Sequence, residues 1–365
     1  MWMIIFLLLP IVGIAYVSWH LYMLVPLPAI WRWGVVGLLI GSFLLMFCNM
    51  WRATDQLPLP LARLVYDIGN SSVFILLYLT IIFLVLDLGR LVRLVPRDLL
   101  CHNFYTTAAL AGGLFLLFLA GNINYRHKVR QELSLTAQKP LARPLRLVML
   151  SDLHLGYHNP RKELARWVDM INDEHPDVVF IGGDIIDMSL RPLLEERMAD
   201  ELRRIEAPVY ACLGNHEYYS GEPGALRFYR EAGIHLLRDS VATFGPLRII
   251  GRDDRANPHR QNLNRLCRQA KESLPEGNPA YTILLDHQPH HLEQAEHAGI
   301  DFQFSGHTHR GQVWPISWIT DAIYECSHGS HRRGNTQYYV SSGIGIWGGK
   351  FRIGTHSEYV VATLQ

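Results

Sequence analysis

Four stretches of this 365-residue chain carry no Asp, Glu, Lys or Arg: 1–30, 33–51, 68–86 and 99–125. Each can cross a bilayer, because about 20 apolar residues at 1.5 Å rise span a hydrocarbon core of about 30 Å. Four in succession leave little polar surface to wrap around them as buried core helices. An all-α transmembrane region of about four helices is therefore expected over 1–125. A cleaved signal peptide fits the first stretch poorly, since it lacks a basic start and runs well past a short apolar region. The segment 52–67 has Leu57, Leu61 and Leu64 at helical spacing and reads as an interfacial helix or a loop.

The charge balance changes sign along the chain. Residues before Leu145 hold 11 Lys and Arg against 5 Asp and Glu, and those from Leu145 onward hold 23 against 28. The second part is mildly acidic and so lacks the basic face of a nucleic-acid binder. It also holds 15 of the 18 histidines. Five cysteines without a CxxC pair exclude a disulfide framework and a zinc ribbon, and free thiols fit a reducing compartment. With four spans, Arg52, Arg63, Arg126, Lys128 and Arg130 share a side with the second part, against Arg32, Arg90, Arg93 and Arg97 opposite. That narrow excess and the thiols lean towards a cytoplasmic second part on a multi-pass integral membrane protein. The polar residues 126–144 read as a juxtamembrane linker.

From Leu145 to Gln365, short apolar runs repeatedly end in Asp, Asn or His. Leu145 to Leu150 leads into Asp152-Leu153-His154, Asp177 to Ile181 into Gly183-Asp184-Ile185-Ile186-Asp187, and Val209 to Leu213 into Gly214-Asn215-His216-Glu217. Leu247 to Ile250 leads into Arg252-Asp253-Asp254, Tyr281 to Leu285 into Asp286-His287, and Phe302 to Phe304 into Gly306-His307-Thr308-His309. Segments of helical periodicity lie between them: Pro160 to Glu174, Pro192 to Ile205 and His290 to Ala298. Strands alternating with helices argue a layered α/β fold, whose functional groups gather at strand ends. Gln337 to Ser342 and Glu358 to Leu364 read as consecutive strands around a Gly-rich turn, which makes the sheet mixed.

An Asp-x-His pair at a strand end puts two ligands on one side of the backbone. Asp152 and His154 can grip one ion, Asp184 can bridge to a second, Asn215, His287 and His307 can complete the second shell, and His309 can return to the first. Imidazole and carboxylate without thiolate suit manganese, iron or zinc. Two such ions can polarise a phosphoryl group, lower the pKa of a bridging water and clamp attacking and leaving oxygens. Each motif alone reads equally as a capped turn or solvated loop; the ordered set of five does not.

Asp152-Leu153-His154, Gly183 to Asp187, Gly214 to Glu217, His287 and Gly306 to His309 together resemble the motif series of the calcineurin-like metallophosphoesterases. The resemblance covers 145–365 and implies a four-layer αββα sandwich. It implies one metal held by Asp152, His154, Asp184 and His309, and another held by Asp184, Asn215, His287 and His307. It makes His216 the catalytic histidine, with Asp187 orienting its ring. Gly306 to Trp314 and Val340 to Gly345 resemble a membrane-associated branch of the family.

Arg310 reads as a contact to a substrate phosphate or as a surface arginine, and Asp254 as a substrate contact or a support. Val313 to Ile319 reads as buried against the sandwich, with a lipid-facing lid as the alternative. The remaining histidines, His328 and His356 among them, read as solvated or locally hydrogen-bonded. The expected activity is hydrolysis of a phosphoester or pyrophosphate by a metal-bridged hydroxide, with the bilayer as partner. The anchor points to a lipid-linked substrate, similar to that of the UDP-diacylglucosamine pyrophosphatases of this family. The alternatives are a phosphodiesterase acting on soluble nucleotides and a catalytically silent metal-binding membrane module.

Overall fold

The computed structural model describes residues 2–137, 139–272 and 281–365, with backbone alone for 2–9 and 270–272. It divides into a helical unit, residues 1–122 with Gly348–Lys350, and a catalytic unit holding Ile123–Trp347 and Phe351–Gln365.

The helical unit contains α1 (Trp2–Leu24), α2 (Ala29–Met50), α3 (Leu59–Leu91) and most of α4 (Phe104–Arg126). The last three are long and apolar enough to cross a membrane, whereas the described apolar part of α1, Pro10–Leu24, is shorter. Among the described residues three candidate membrane helices are found, beside the shorter apolar stretch of α1. Val17, Leu24, Phe43, Leu76, Leu79 and Phe83 pack together inside the unit. Outward residues such as Leu38, Leu88 and Phe115 remain exposed, as a lipid-facing surface requires. The segment around Leu61 and Leu64 is neither a separate interfacial helix nor a loop, because Pro58 precedes α3 and its first turn starts at Leu59. Helix α3 also reaches past the uncharged run to include Asp87, whose carboxylate accepts from Tyr16 Oη at 2.7 Å and pairs with His20 Nε2 at 2.9 Å.

The catalytic unit is built on two six-stranded sheets. Its strands are β1 (Lys128–Leu135), β2 (Leu145–Leu150), β3 (Val178–Ile181), β4 (Val209–Ala211), β5 (His235–Leu236), β6 (Ser240–Phe244), β7 (Leu247–Gly251), β8 (Tyr281–Leu285), β9 (Phe302–Ser305), β10 (Gly329–Arg333), β11 (Thr336–Val340) and β12 (Ser357–Leu364). The first sheet has the order β1-β12-β2-β3-β4-β5 and the second β10-β11-β9-β8-β7-β6. Strands β2 to β5 are parallel, as are β7, β8, β9 and β11, while β2 pairs antiparallel with β12 and β6 with β7.

Alternation along the strands defines the layers. Leu147 and Met149 of β2 point between the sheets with Phe180, Ile283, Leu285, Phe302, Phe304 and Val360. Val148 and Leu150 point the other way, against α5 (Arg161–Asp173), α6 (Arg191–Glu195), α7 (Met198–Leu202), α8 (Asn215–Ser220) and α9 (Glu222–Glu231), which contribute Trp167, Leu193, Leu202 and Phe228. On the far side Ile250, Leu284 and Val340 pack on α10 (Leu263–Glu272) and α11 (Glu293–Ala298) through Leu266 and Ala295. The order is helix, sheet, sheet, helix, the expected αββα sandwich. Each fully buried Leu or Phe of the central layer contributes about 1.5–3 kcal/mol of transfer free energy.

Three local expectations change. Residues 126–144, expected as a linker, contain β1, whose Val129, Gln131, Leu133 and Leu135 turn inward while Arg130, Glu132 and Ser134 are exposed. Its polar outward face hides a two-residue period, and β12 offers it a parallel ladder. The two last strands do not neighbour each other: β11 lies in the second sheet and β12 in the first, and the Gly-rich segment carries the chain across. Within residues 313–319, expected to be buried, Val313 and Ser317 are buried but Trp314 is exposed, and the segment enters α12 (Ile316–Ile323), whose Trp318, Ile319 and Ile323 are 65%, 57% and 63% exposed.

Candidate active site

The parallel strands of both sheets deliver their carboxyl ends to one place. Asp152 and His154 follow β2, Asp184 follows β3, and Asn215 and His216 open α8 after β4. The second sheet adds His287 after β8 and His307 and His309 after β9. The backbone there is strained: Asp152, His154, Asp184, His307 and His309 all have φ between 44° and 72°. Such left-handed residues cost about 1–3 kcal/mol each and persist only where the surroundings enforce them. Gly214 is required where it stands, because a Cβ would meet the Asp184 backbone nitrogen at 2.7 Å.

Six of the seven expected ligands fall into two groups, overlapped by a third made of His154, Asp184 and His216. Asp152, His154 and His309 lie together, as do Asp184, His287 and His307. His154 Nε2 is 3.0 Å from His309 Nε2, 3.8 Å from Asp152 Oδ1 and 3.7 Å from Asp184 Oδ2. The same Asp184 oxygen is 3.1 Å from His287 Nε2, so one carboxylate faces both groups. Asn215 Oδ1 sits 2.8 Å from His307 Nδ1.

The donor set fits divalent ions. His287 Nε2 is fully buried and faces the Asp184 carboxylate, at 3.1 Å and outside hydrogen-bond geometry, while its Nδ1 is fixed by the Gly182 carbonyl at 2.7 Å. An imidazole nitrogen buried without a hydrogen bond is costly unless an ion takes it, and a carbonyl on the opposite nitrogen is the usual support of a ligating histidine. Oxygen and imidazole donors gathered without thiolate match manganese, iron or zinc chemistry.

His216 stands beside the ligands. Its Nδ1 lies 3.2 Å from the Asp187 carbonyl and 3.6 Å from Asp187 Oδ1, and its backbone N–H donates to Asp184 Oδ1 at 2.9 Å. Burial lowers its pKa, opposed by the charge of Asp184. Asp187 also approaches His154 Nδ1 at 3.3 Å, so it serves two rings.

The two expected substrate contacts differ. Arg310 is half-buried directly after His309, with φ 49°. Asp254 is buried and its carboxylate accepts from Gln288 Nε2 at 3.0 Å and from the Ala256 N–H, which ties it to the His287 loop.

Two supporting residues escaped sequence reasoning. Glu217 is fully buried and accepts the backbone N–H groups of Gly214, Asp184 and Ile186, holding two ligand loops together. Burial and then the nearby Asp184 push its pKa up to about 7. Arg352 is fully buried and donates to the carbonyls of His309, Ser342 and Gly345 and to Ser357 Oγ. Burial lowers its pKa to about 10, so it remains charged at neutral pH. Glu217 stood in a quoted motif; nothing local marks Arg352, whose partners lie up to 43 residues away. Arg352→Met is expected to lower stability by about 3 kcal/mol or more, because it strands three buried carbonyls. Thermal unfolding tests this, and a midpoint matching the wild type would refute it.

Fold and site together define a calcineurin-like phosphoesterase, and the chain belongs to that family. The family model of that description matches residues 145–311. An uncharacterized metallophosphoesterase of Campylobacter jejuni is 30% identical over 273 residues, covering 73% of this chain and 71% of that protein. The Danio rerio protein named transmembrane protein with metallophosphoesterase domain is 29% identical over 363 residues, 91% of this chain and 80% of its own. A Helicobacter pylori metallophosphoesterase, also uncharacterized, is 31% identical over 221 residues, and the chain spans 59% of its length.

Proposed function

We propose that this chain hydrolyses a phosphoester or pyrophosphate bond of a lipid-linked substrate at a membrane surface. The single observation that carries the hydrolytic reading is the Asp184 carboxylate placed between the Asp152–His154–His309 group and the His287–His307 group. In this reading Asp152, His154, Asp184 and His309 hold one divalent ion, and Asp184, Asn215, His287 and His307 hold another. Manganese, iron or zinc bound there would polarise the phosphoryl group and acidify water.

The chain's own groups do the remainder. Asp187 holds the Nδ1 side of His216, which leaves Nε2 to carry the proton given to the departing oxygen. The Arg310 guanidinium can bind a non-bridging phosphate oxygen pairwise. Asp254 keeps the His287 loop in place through Gln288.

The lipid part of the reading rests on α12. It begins seven residues after His309, and its exposed Trp318, Ile319 and Ile323 form an apolar face beside Trp314, whose ring meets Trp318 edge-on at 5.3 Å. Tryptophan favours the membrane interface, and burying such side chains contributes about 1.5–3 kcal/mol each. The bilayer is the proposed partner, with α2, α3 and α4 as anchors in a multi-pass arrangement and the catalytic unit on the cytoplasmic side.

Trp318→Ser combined with Ile319→Ser is expected to cut turnover of a micellar lipid phosphoester about tenfold or more, and to leave a soluble chromogenic phosphoester unaffected. Equal effects on both substrates would favour the alternative, a soluble nucleotide phosphodiester.

A further inference from the structure

We propose a third metal site, separate from the catalytic ligands, in which His328, His356 and Glu358 bind one zinc-class ion. His328 immediately precedes β10 at the edge of the second sheet. His356 and Glu358 stand at the start of β12, beside the edge strand of the first. The three side chains therefore meet where the two sheets close on each other at one side of the sandwich.

Their spacing suits a shared ion as well as the hydrogen bond that His328 Nε2 makes with Glu358 Oε2. His328 Nε2 lies 3.2 Å and His356 Nε2 3.3 Å from the same oxygen, Glu358 Oε2. Ligands of a tetrahedral zinc with bonds of about 2.0–2.1 Å stand about 3.3 Å apart, the edge of the tetrahedron. Two imidazoles and one carboxylate make a recognised zinc donor set that leaves a fourth position for water. Solvent reaches it, since the His328 and His356 side chains are 16% and 27% exposed while Glu358 is fully buried.

The carboxylate is also preorganised. Its other oxygen, Oε1, accepts the Ser342 N–H at 2.9 Å, which fixes the plane of the group and leaves Oε2 for the two histidines. That pattern is the outer support expected of a ligating carboxylate. Among the described residues the cluster connects to the catalytic loops only through the backbone. Gly343, next to Ser342, abuts Asp152, and Thr308, between two catalytic ligands, donates its hydroxyl to the carbonyl of Ser327, the neighbour of His328.

The test uses the full-length chain in detergent with Asp184→Asn and His287→Ala, which weakens both catalytic groups, and compares it with the same chain lacking His328 and His356. Zinc is titrated against a chromogenic chelator and bound metal is counted by mass spectrometry. One tightly held zinc per chain is expected, and adding His328→Gln and His356→Gln should remove it. In the otherwise wild-type chain the same pair should lower zinc content by one equivalent while manganese-supported phosphoesterase activity persists. Circular dichroism of each variant confirms folding, and His356→Gln alone, at a partly exposed position, gives a second and milder reading. Zinc content unaffected by loss of both histidines would overturn the proposal, as would absence of tight zinc from the folded Asp184→Asn/His287→Ala protein. Neither result depends on whether the catalytic cluster hydrolyses phosphoesters.

Discussion

Asp184→Asn is expected to lower kcat/KM on a chromogenic phosphoester by about 10³-fold or more while leaving the fold intact. The carboxamide matches the carboxylate in size and can still accept the His216 N–H, so local packing survives. It loses the charge that faces both ligand groups, and several kcal/mol of transition-state stabilisation by two ions depend on that charge. Metal content measured on the same sample should fall alongside activity. Retained activity with full metal content would remove Asp184 from its bridging position and with it the hydrolytic reading.

His216→Ala is expected to lower kcat by about 10²- to 10⁴-fold, the range for one proton-transferring group. It differs from the first variant in what stays constant: bound metal and KM should change little, because His216 is proposed as no ion's ligand. The loss should be smaller for a substrate with a strongly acidic leaving group, which departs without a proton. A loss that ignores leaving-group acidity would assign His216 to binding the phosphoryl group rather than to protonating the leaving oxygen. Asp187→Asn should reproduce part of the effect, since its carbonyl, and not only its carboxylate, holds Nδ1.

The sandwich was legible in the sequence because its central strands are apolar on both faces and each ends in a ligand motif. β2 and β8 lie where Leu145–Leu150 and Tyr281–Leu285 were expected, and β3, β4 and β9 differ only at their ends. What escaped were elements whose character depends on a distant partner. β1 and β10 carry Arg130, Glu132, Ser330 and Arg332 on exposed faces, so their alternation reads as polar chain until β12 and β11 are placed beside them. The helix expected from Pro192 to Ile205 is two short ones, broken where Arg197 takes φ 52°. The seven ligand candidates were legible because each is announced within a few residues. Arg352 was not, since its work is to satisfy carbonyls that only folding brings together. His328 and His356 were set aside for the same reason, as their shared oxygen lies on a strand far from His328 in the chain.

Five candidate ligands with left-handed backbones also leave a signature in sequence drift. Aspartate, asparagine and histidine adopt that conformation more readily than most side chains, but glycine does so at the lowest cost. A descendant released from catalysis would relieve that strain by exchanging Asp152, His154 or Asp184 for glycine. Persistence of the strained residues across diverging copies is therefore a record of use, and their replacement would date the loss of activity more sharply than any change in the core.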